Sequence, residues 1–336
     1  MPPRPARDRA QPEAEAGEGT TIVDFRYHLV SIIAIFLALA LGIVVGTTAL
    51  NGALLDNLEA SIGTLTDEKR ALETDVTGLR DLVAGDEQLV AQMSERAVTG
   101  VLAGERVVLV SAPTAPAQVR DELVPLLLAA GAQVAGEVRL RPDLYAPDRG
   151  PQVDEVVARV APDDADLTGA ATPVERAAAV LAAALVRRPD EDALPGTEAA
   201  AVLQAFTQAD LVDVEGDLGG RSTLAVVLAG VPEPAPDPVL GPLQTQTVVA
   251  VADALDEVSA GVVVAAPLAA TEGAGALRTV REDGALTGRA SSVDGVDRPS
   301  GLLAVVLALR EQAAGGAGRY GTGPGVSGPL PALPSP

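Results

Sequence analysis

The residues of this chain that could do chemistry are mainly carboxylates and glycines. The 336 residues include 46 acidic ones, no cysteine and a single histidine, His28. Without cysteine there are no disulfides, thiolate metal sites or cysteine nucleophiles. Because His28 is the only histidine and lies near the N-terminus, before an uncharged apolar segment, no Ser-His-Asp triad can form in the soluble part of one chain. The sequence therefore predicts that the protein is not an enzyme.

Two groups of carboxylates have a spacing that could hold a cation. Asp213, Glu215 and Asp217 alternate, and Asp294 and Asp297 follow a short stretch that could form a strand. Oxygen clusters of this kind can bind Ca²⁺ or Mg²⁺. In a chain with 46 acids such groupings also arise by chance. We therefore expect solvated loop acids here and assign no metal ligand.

Three glycines near the end of the chain form another pattern. Gly316, Gly318 and Gly321 spell GxGxxG, which binds a pyrophosphate when it follows a strand and opens a helix. Here the motif follows a predicted helix and leads into a Pro/Gly-rich tail. A P-loop is also excluded, because the only lysine, Lys69, lies far from any glycine-rich loop. The sequence predicts neither a nucleotide site nor another cofactor site.

The charge balance restricts the partners. The net charge is 24 − 46 = −22, which repels polyanions, so we predict no nucleic-acid partner. The chain is also 48% hydrophobic, which is enough for a sizeable core at this length.

One segment near the N-terminus predicts a membrane anchor. Residues 29–50 carry no charge and would span about 33 Å as a helix, enough for a hydrocarbon core of about 30 Å. A cleaved signal peptide has a shorter apolar region followed by a small-residue cleavage site. Because this run is longer and no such site follows it, we predict an uncleaved signal-anchor. Arg7, Arg9 and Arg26 precede it and residues 51–68 contain no Lys or Arg, which predicts a cytoplasmic N-terminus and an extracytoplasmic remainder.

Residues around this segment could contact the bilayer or a second helix. An aromatic and basic group at the predicted membrane surface comprises Phe25, Arg26, Tyr27 and His28. We expect His28 to lie at headgroup level rather than to bind a metal. Ala34, Ala38, Gly42 and Gly46 recur every four residues, which would let two helices approach closely. In so Ala-rich a chain, chance explains the spacing nearly as well.

The next segment, residues 51–98, predicts a coiled-coil stalk. Its apolar seam recurs at three- and four-residue spacing and comprises Leu55, Leu58, Ile62, Leu65, Lys69, Leu72, Val76, Leu79 and Val83, continuing through Asp86 and Val90. β-Branched residues at the a positions with Leu at the d positions favour a parallel two-stranded coil. Lys69 at an a position would weaken the coil and help to fix its register. The predicted assembly is a homodimer; the alternative is a helix that packs on its own domain.

Residues 104–314 predict an α/β layered domain with a parallel, Rossmann-like sheet covered on both faces. The predicted strands are 107–111, 133–138, 223–229 and 262–265, with a further short one at 289–293, and the predicted helices are 119–130, 173–187, 196–209, 243–259 and 299–312. Residues 140–152 and 231–242 are predicted loops. We expect residues 1–28 to form a short, partly disordered cytoplasmic tail and residues 315–336 to be disordered.

Several of these residues together resemble a known family. The run DFRYHLVS at residues 24–31, the segment from Phe36 through Gly46 and the coil that follows it are similar to the actinobacterial copper-transport protein family, MctB. Ser291, Ser292, Val293 and Asp294, with the Tyr320-Gly321 pair, resemble the C-terminal pattern of that family. The resemblance covers most of residues 22–322 and is most specific in its first thirty positions.

The resemblance implies a single-pass envelope protein that acts in copper transport or homeostasis, with a channel role and outer-membrane placement attached to the family. Copper export requires thiolate, thioether or imidazole ligands, and the chain offers one His and only Met1 and Met93. Copper is thus implied by the resemblance alone, and an oligomer or a partner would have to carry it. The alternative hypothesis is a dimeric scaffold that regulates another envelope protein, such as a cell-wall hydrolase during cell separation.

Overall fold

The structure is a computed structural model that describes residues 21–162, 165, 167–189, 194–218, 222–232 and 240–332. The contacts divide the chain into two compact units, one ending at Asp81 and the other beginning at Leu82. Most of the predicted cytoplasmic tail, residues 1–20, lies outside the described residues.

The described part of the first unit is a single helix. Helix α1 runs from Thr21 to Val98, so its last 17 residues belong to the second unit. The sequence favours one long helix because it contains no proline and few glycines over this range. Described side chains of the first unit are almost all exposed.

The second unit is built on a seven-stranded sheet. Its strands are β1 Arg106–Ser111, β2 Gln133–Leu140, β3 Val212–Gly216, β4 Leu224–Leu228, β5 Gly261–Ala266, β6 Ser291–Asp294 and β7 Arg319–Tyr320, in the spatial order 3-2-1-4-5-6-7. All neighbours pair in parallel except β3, which is antiparallel to β2. The predicted α/β class is confirmed, whereas the prediction of a purely parallel sheet is wrong at this edge.

Helices cover both faces of the sheet. They are α2 Ala117–Ala129, α3 Gly150–Val160, α4 Pro173–Leu185, α5 Gly196–Gln208, α6 Leu240–Val258, α7 Ala276–Glu282 and α8 Pro299–Ala313. Val108 and Val110 of β1 contribute to one apolar core with α3 to α7. Val107 and Leu109 point to the other face, where α2, α8 and the end of α1 pack. A strand with apolar side chains on both faces is what a central position in a covered sheet requires.

Several regions differ from the expectations. Residues 150–152, predicted as part of a loop, begin α3, where Pro151 occupies a first-turn position that tolerates its missing N–H. The sequence analysis predicts no helix at α3 or α7 and no strand at β3. The expected disordered tail is wrong for residues 315–332, because β7 pairs with β6 and Tyr320 is buried. Residues 333–336 of that tail, and 233–239 of the other predicted loop, lie outside the described residues.

Candidate functional sites on the helix and in the domain

The N-terminal part of α1 has the length and composition of a membrane span. Phe25–Thr47 is the one stretch of the described residues that is apolar and helical enough to cross a bilayer, and none of it is buried in the structure. Phe25, Arg26, Tyr27 and His28 lie at its start and are exposed. An apolar helix without protein contacts must be covered by lipid or by another apolar surface.

The small residues predicted to pair helices lie on this exposed segment. Ala34, Ala38, Gly42 and Gly46 are helical, and a Cβ added at Gly42 or Gly46 would meet nothing within 4 Å. These positions are therefore open to a second helix. Their use in pairing stays a prediction.

The predicted seam is also exposed on the first unit. Leu58, Ile62, Leu65, Leu72, Val76 and Leu79 all rank among the exposed large hydrophobic residues. Lys69 pairs with Glu73 in an exposed ion pair at 3.4 Å, and Leu55 lies on the helix but outside the residues whose side chains the structure describes. Val83, the last position, belongs to the second unit and is 45% exposed. A coiled coil at this seam remains a prediction.

The last turns of α1 are fastened to the domain. Glu87 accepts hydrogen bonds from the backbone N–H of Ser300 at 3.0 Å and from its hydroxyl at 2.6 Å. Ser300 opens α8, so this carboxylate supplies the acceptor that a helix N-terminus otherwise lacks. Val90 packs on the core beneath α2 and α8, and Ser94 and Val98 are buried. This part of the predicted stalk therefore has an intrachain partner.

The usual ligand site of such sheets is filled by protein. Ligands of open α/β sheets bind where the strand order reverses, which here lies between the carboxyl ends of β1 and β4. Ala112 donates its N–H to the carbonyl of Leu228 at 2.8 Å, and Gly230 donates to Thr114 Oγ1 at 3.3 Å. The cavity left among the described residues is about 10 Å³, room for about one water.

The buried edge of this crevice contains a tyrosine. Burial raises the pKa of Tyr145, and a hydrogen bond from Gln244 opposes that rise. The phenol is therefore neutral at physiological pH and serves as packing and hydrogen-bonding surface. The described residues that line this crevice leave no space in it for a nucleotide.

The most deeply buried charges lie at the carboxyl end of β6. The carboxylate of Asp294 and the guanidinium of Arg281, from α7, form an ion pair at 2.9 Å with side-chain exposures of 0% and 5%. Arg281 also donates to Ser292 Oγ and to the carbonyls of Tyr320 and Pro324. The expectation of a solvated Asp294 is wrong, because residues distant in sequence cover it.

The covering segment is the C-terminal strap, residues 316–328. The backbone N–H groups of Thr322 and Gly323 donate to the Asp294 carboxylate at 2.8 and 3.1 Å. Tyr320 donates its hydroxyl to Glu311 at 2.7 Å, and burial, followed by this interaction, raises the pKa of Tyr320 well above its ordinary value. Gly321 N–H and Ser327 N–H bond within the strap region to Gly328 and Arg319.

The GxGxxG glycines serve this strap. A Cβ at Gly318 would collide with the ring of Tyr320, and one at Gly321 with the Asp294 carboxylate. Gly321 also adopts φ +122°, which L-residues rarely do. Consecutive backbone N–H groups form anion-binding nests, and the anion here is the protein's own carboxylate. The absence of a nucleotide at this motif stays a prediction.

The alternating acids line the edge strand β3. Asp213 faces Arg141 at 3.4 Å, and Glu215 faces Arg139 at 3.3 Å and Arg120 at 3.5 Å. Arg120 and Arg139 also contact Glu137, a buried carboxylate that accepts a 2.5 Å hydrogen bond from Ser111. These exposed acids of the edge are thus ion-paired. Hydrogen bonds to Asp121 and Glu137 raise the pKa of Arg120 further, so its charge is permanent.

The positions of the His, Cys, Asp, Glu and Met side chains determine whether the described residues could bind a metal ion. Within the described ranges, three or more His, Cys, Asp or Glu side chains nowhere come together in a group that could hold a metal ion. Met93, the one described methionine, is exposed on α1. Apart from Met93 and the imidazole of His28, the described residues of one chain offer no thiolate, thioether or imidazole ligand for copper.

A larger groove lies beside α6. Its volume is about 870 Å³, and its walls come from α4, α6, α7 and the 3₁₀ turns after β2. Asp253, Glu257 and Asp283 are among its lining residues, and Asp253 already pairs with Arg289 at 2.6 Å. The groove is open to solvent, and its described lining contains both polar and apolar groups.

Comparison with known proteins places these features in a family. The model of the family described as "Copper transport outer membrane protein, MctB" matches residues 22–331. The chain is 27% identical over 318 residues to the copper transporter MctB of Mycobacterium tuberculosis, strain ATCC 25618 / H37Rv, covering 91% of this chain and 98% of that protein. It is 26% identical over 328 residues to the copper transporter MctB of Mycobacterium leprae, with the same coverage.

Proposed function

The chain belongs to the MctB family, and from this premise we propose that it is a single-pass envelope protein that acts in copper transport or homeostasis without being an enzyme. The observation that supports the proposal is the match over residues 22–331, which includes both the apolar helix and the whole α/β domain. The N-terminus is cytoplasmic and the domain extracytoplasmic, since basic residues lie before the span and are absent just after it.

Copper itself is carried by an oligomer or by a channel partner in this proposal. One helix cannot enclose a pore, and the described residues bring together no metal-binding group. The domain then positions or regulates the conducting protein. Equilibrium dialysis of the full chain in detergent with copper should reveal only the weak binding of exposed carboxylates, and a stoichiometric high-affinity site would refute this part.

Growth on copper tests the function. A deletion strain should become hypersensitive to copper, and the intact gene should restore tolerance. The matched control is a gene that lacks residues 1–50 but retains the domain, which should not restore tolerance because the domain is no longer anchored. Normal copper tolerance of the deletion strain would contradict the proposal.

The exposed seam favours a second candidate function, that of a dimeric scaffold for another envelope protein. Apolar side chains at Leu58, Leu65 and Leu72 lie in solvent in the single chain, and a second copy would bury them in a parallel coil. In that role the extracytoplasmic domain regulates a partner such as a cell-wall hydrolase. Unseparated daughter cells with normal copper tolerance in the deletion strain would favour this candidate over transport.

Crosslinking tests the dimer directly, because the chain has no native cysteine. Leu58→Cys and Leu65→Cys should form disulfides between copies, whereas Ala60→Cys and Asp67→Cys, on the outer face of the same heptads, should not. Gly42→Ile with Gly46→Ile should reduce the crosslinked fraction if the membrane helices also pair. Light scattering that reports a monomer in detergent would exclude the dimer.

A further inference from the structure

Residues 82–98 of α1 present two different faces within the second unit. One face is occupied by the domain: Glu87 bonds to Ser300, Val90 packs on the core, and Ser94 and Val98 are buried. The other face is exposed and lies about a third of a turn away, given 3.6 residues per turn. It is apolar at Leu82, Leu89 and Met93.

This second face, the Leu82–Met93 stripe, has the spacing of a helix-pairing seam. Leu82, Asp86, Leu89 and Met93 are separated by four, three and four residues, which keeps them on one side of the helix. Leu82, Leu89 and Met93 are 68%, 57% and 59% exposed. Gly85 borders the stripe, and an added Cβ there would meet nothing within 4 Å, so another backbone can approach closely.

A second copy of the chain in the predicted parallel coil would not occupy this stripe. Continued beyond Val83, that coil would use Asp86 and Val90 as its seam, but Val90 packs on its own domain. It would also set the Asp86 carboxylates of the two copies against each other. Like charges that face each other across a helix pair are unfavourable, and more so once water is excluded.

We propose that the Leu82–Met93 stripe is the docking site for an amphipathic helix of another protein, with a Lys or Arg of that helix opposite Asp86. Leu82, Leu89 and Met93 supply the apolar contact and Asp86 supplies charge complementarity, which selects a basic partner over an acidic one. The inference rests on the scaffold role proposed above and identifies its contact surface.

Two synthetic helical peptides test the charge selection. Both form the same amphipathic helix and differ only at one central position between leucines, which is Lys in one peptide and Glu in the other. Fluorescence anisotropy measures the binding of each peptide to the detergent-solubilised full chain. The Lys peptide should bind about tenfold more tightly than the Glu peptide, as expected for one desolvated charge pair. Asp86→Lys should reverse this preference. Each peptide partitions into the micelles to the same extent whichever protein variant is present. A reversed peptide preference in Asp86→Lys therefore shows that the peptide binds at the stripe.

Matched substitutions locate the site. Leu89→Glu should remove binding of the Lys peptide, whereas Leu128→Glu, at a leucine of α2 that is 56% exposed, should leave it unchanged. An unchanged preference in Asp86→Lys, or equal loss with Leu89→Glu and Leu128→Glu, would overturn the proposal. Disulfides between copies of Leu89→Cys would also overturn it, since the stripe would then hold a second copy.

Different results would refute the scaffold role and the docking site. Normal cell separation in the deletion strain would exclude the scaffold role whatever the peptides do. If the deletion strain fails to separate and the Asp86→Lys strain separates normally, the scaffold role stands and the stripe is not its contact surface. Failure of both strains to separate is the result that the proposal expects.

Discussion

At the scale of single residues, the Asp294 carboxylate organises the C-terminal end of the domain. It accepts hydrogen bonds from two backbone N–H groups of the strap and forms an ion pair with the guanidinium of Arg281. Its negative charge is therefore balanced by groups of the protein itself. Arg281 in turn donates to the carbonyls of Tyr320 and Pro324. One ion pair thereby ties α7, β6 and the strap together.

Removing the cation of this pair should be strongly destabilising. Arg281→Met leaves a buried carboxylate without a countercharge, for which a loss of about 3–5 kcal/mol is expected. The matched control is Arg278→Met on the same helix, whose pair with Glu282 is exposed and worth roughly 0–1 kcal/mol. Urea unfolding of the full chain in detergent, followed by tyrosine fluorescence, measures both. Equal losses for the two variants would contradict the role given to Arg281.

Asp256 on α6 should make stability depend on pH in a defined direction. Burial raises its pKa, and Asp253 raises it further, whereas Arg289 and Arg188 lower it. The folded state therefore keeps the proton of Asp256 at a higher pH than the unfolded state does. Stability should rise as the pH falls through the raised pKa, and the gain is complete below the unfolded value.

The comparison that isolates Asp256 is wild type against Asp256→Asn, unfolded by urea at several pH values. Acidification should stabilise the wild type relative to the variant. Leu128→Ala, which removes no titrating group, should show a difference from wild type that is constant with pH. A wild-type advantage that shrinks on acidification would contradict the assignment.

At the scale of elements, hydrophobic periodicity predicted most of the second unit. Strand β1 and helices α2, α4, α5, α6 and α8 lie within a few residues of their predicted bounds, because each is long enough for its apolar pattern to be distinctive. Helix α7 has seven residues and β7 has two, too few to show a period. Their positions depend on Arg281 and Tyr320 meeting β6.

The candidate sites show the same limit. The spacing of Gly316, Gly318 and Gly321 can be read from the sequence, but their structural role cannot. That role depends on contact with Asp294, which lies more than twenty residues earlier in the chain. Burial of Asp294 results from tertiary contacts that no local pattern records. The apolar span at residues 29–50, by contrast, was predictable because its hydrophobicity is local and continuous.

The attachment of α1 to α8 should behave as a helix cap. Glu87→Ala removes the acceptor for the Ser300 N–H and hydroxyl, and loss of a capping acceptor costs about 1 kcal/mol. Glu95→Ala, an exposed acid on the same helix, should change stability by less than half of that. A double-mutant cycle with Ser300→Ala measures the coupling. Strictly additive losses would show that the contact contributes nothing.

At the scale of the whole molecule, the chain combines an exposed apolar segment with a domain whose apolar residues are buried. The apolar stretch Phe25–Thr47 is fully exposed within the single chain, whereas the second unit buries its apolar residues in two cores on either side of the sheet. The whole chain has a net charge of −22, which disfavours contact with anionic headgroups. The proposed envelope protein thus has one lipid-covered segment and an acidic domain exposed to water.

The proposed orientation can be tested with single cysteines, since the native chain contains none and gives no background. Glu95→Cys lies on an exposed position of α1 in the second unit and should react with a membrane-impermeant maleimide in intact spheroplasts. Ala10→Cys, before the span, should react only after permeabilisation, because Arg7, Arg9 and Arg26 retain that end in the cytoplasm. The fully permeabilised sample controls for total reactivity of both variants. Labelling of Ala10→Cys alone in intact spheroplasts would mean that the domain faces the cytoplasm, and an extracytoplasmic partner for the Leu82–Met93 stripe would then be excluded.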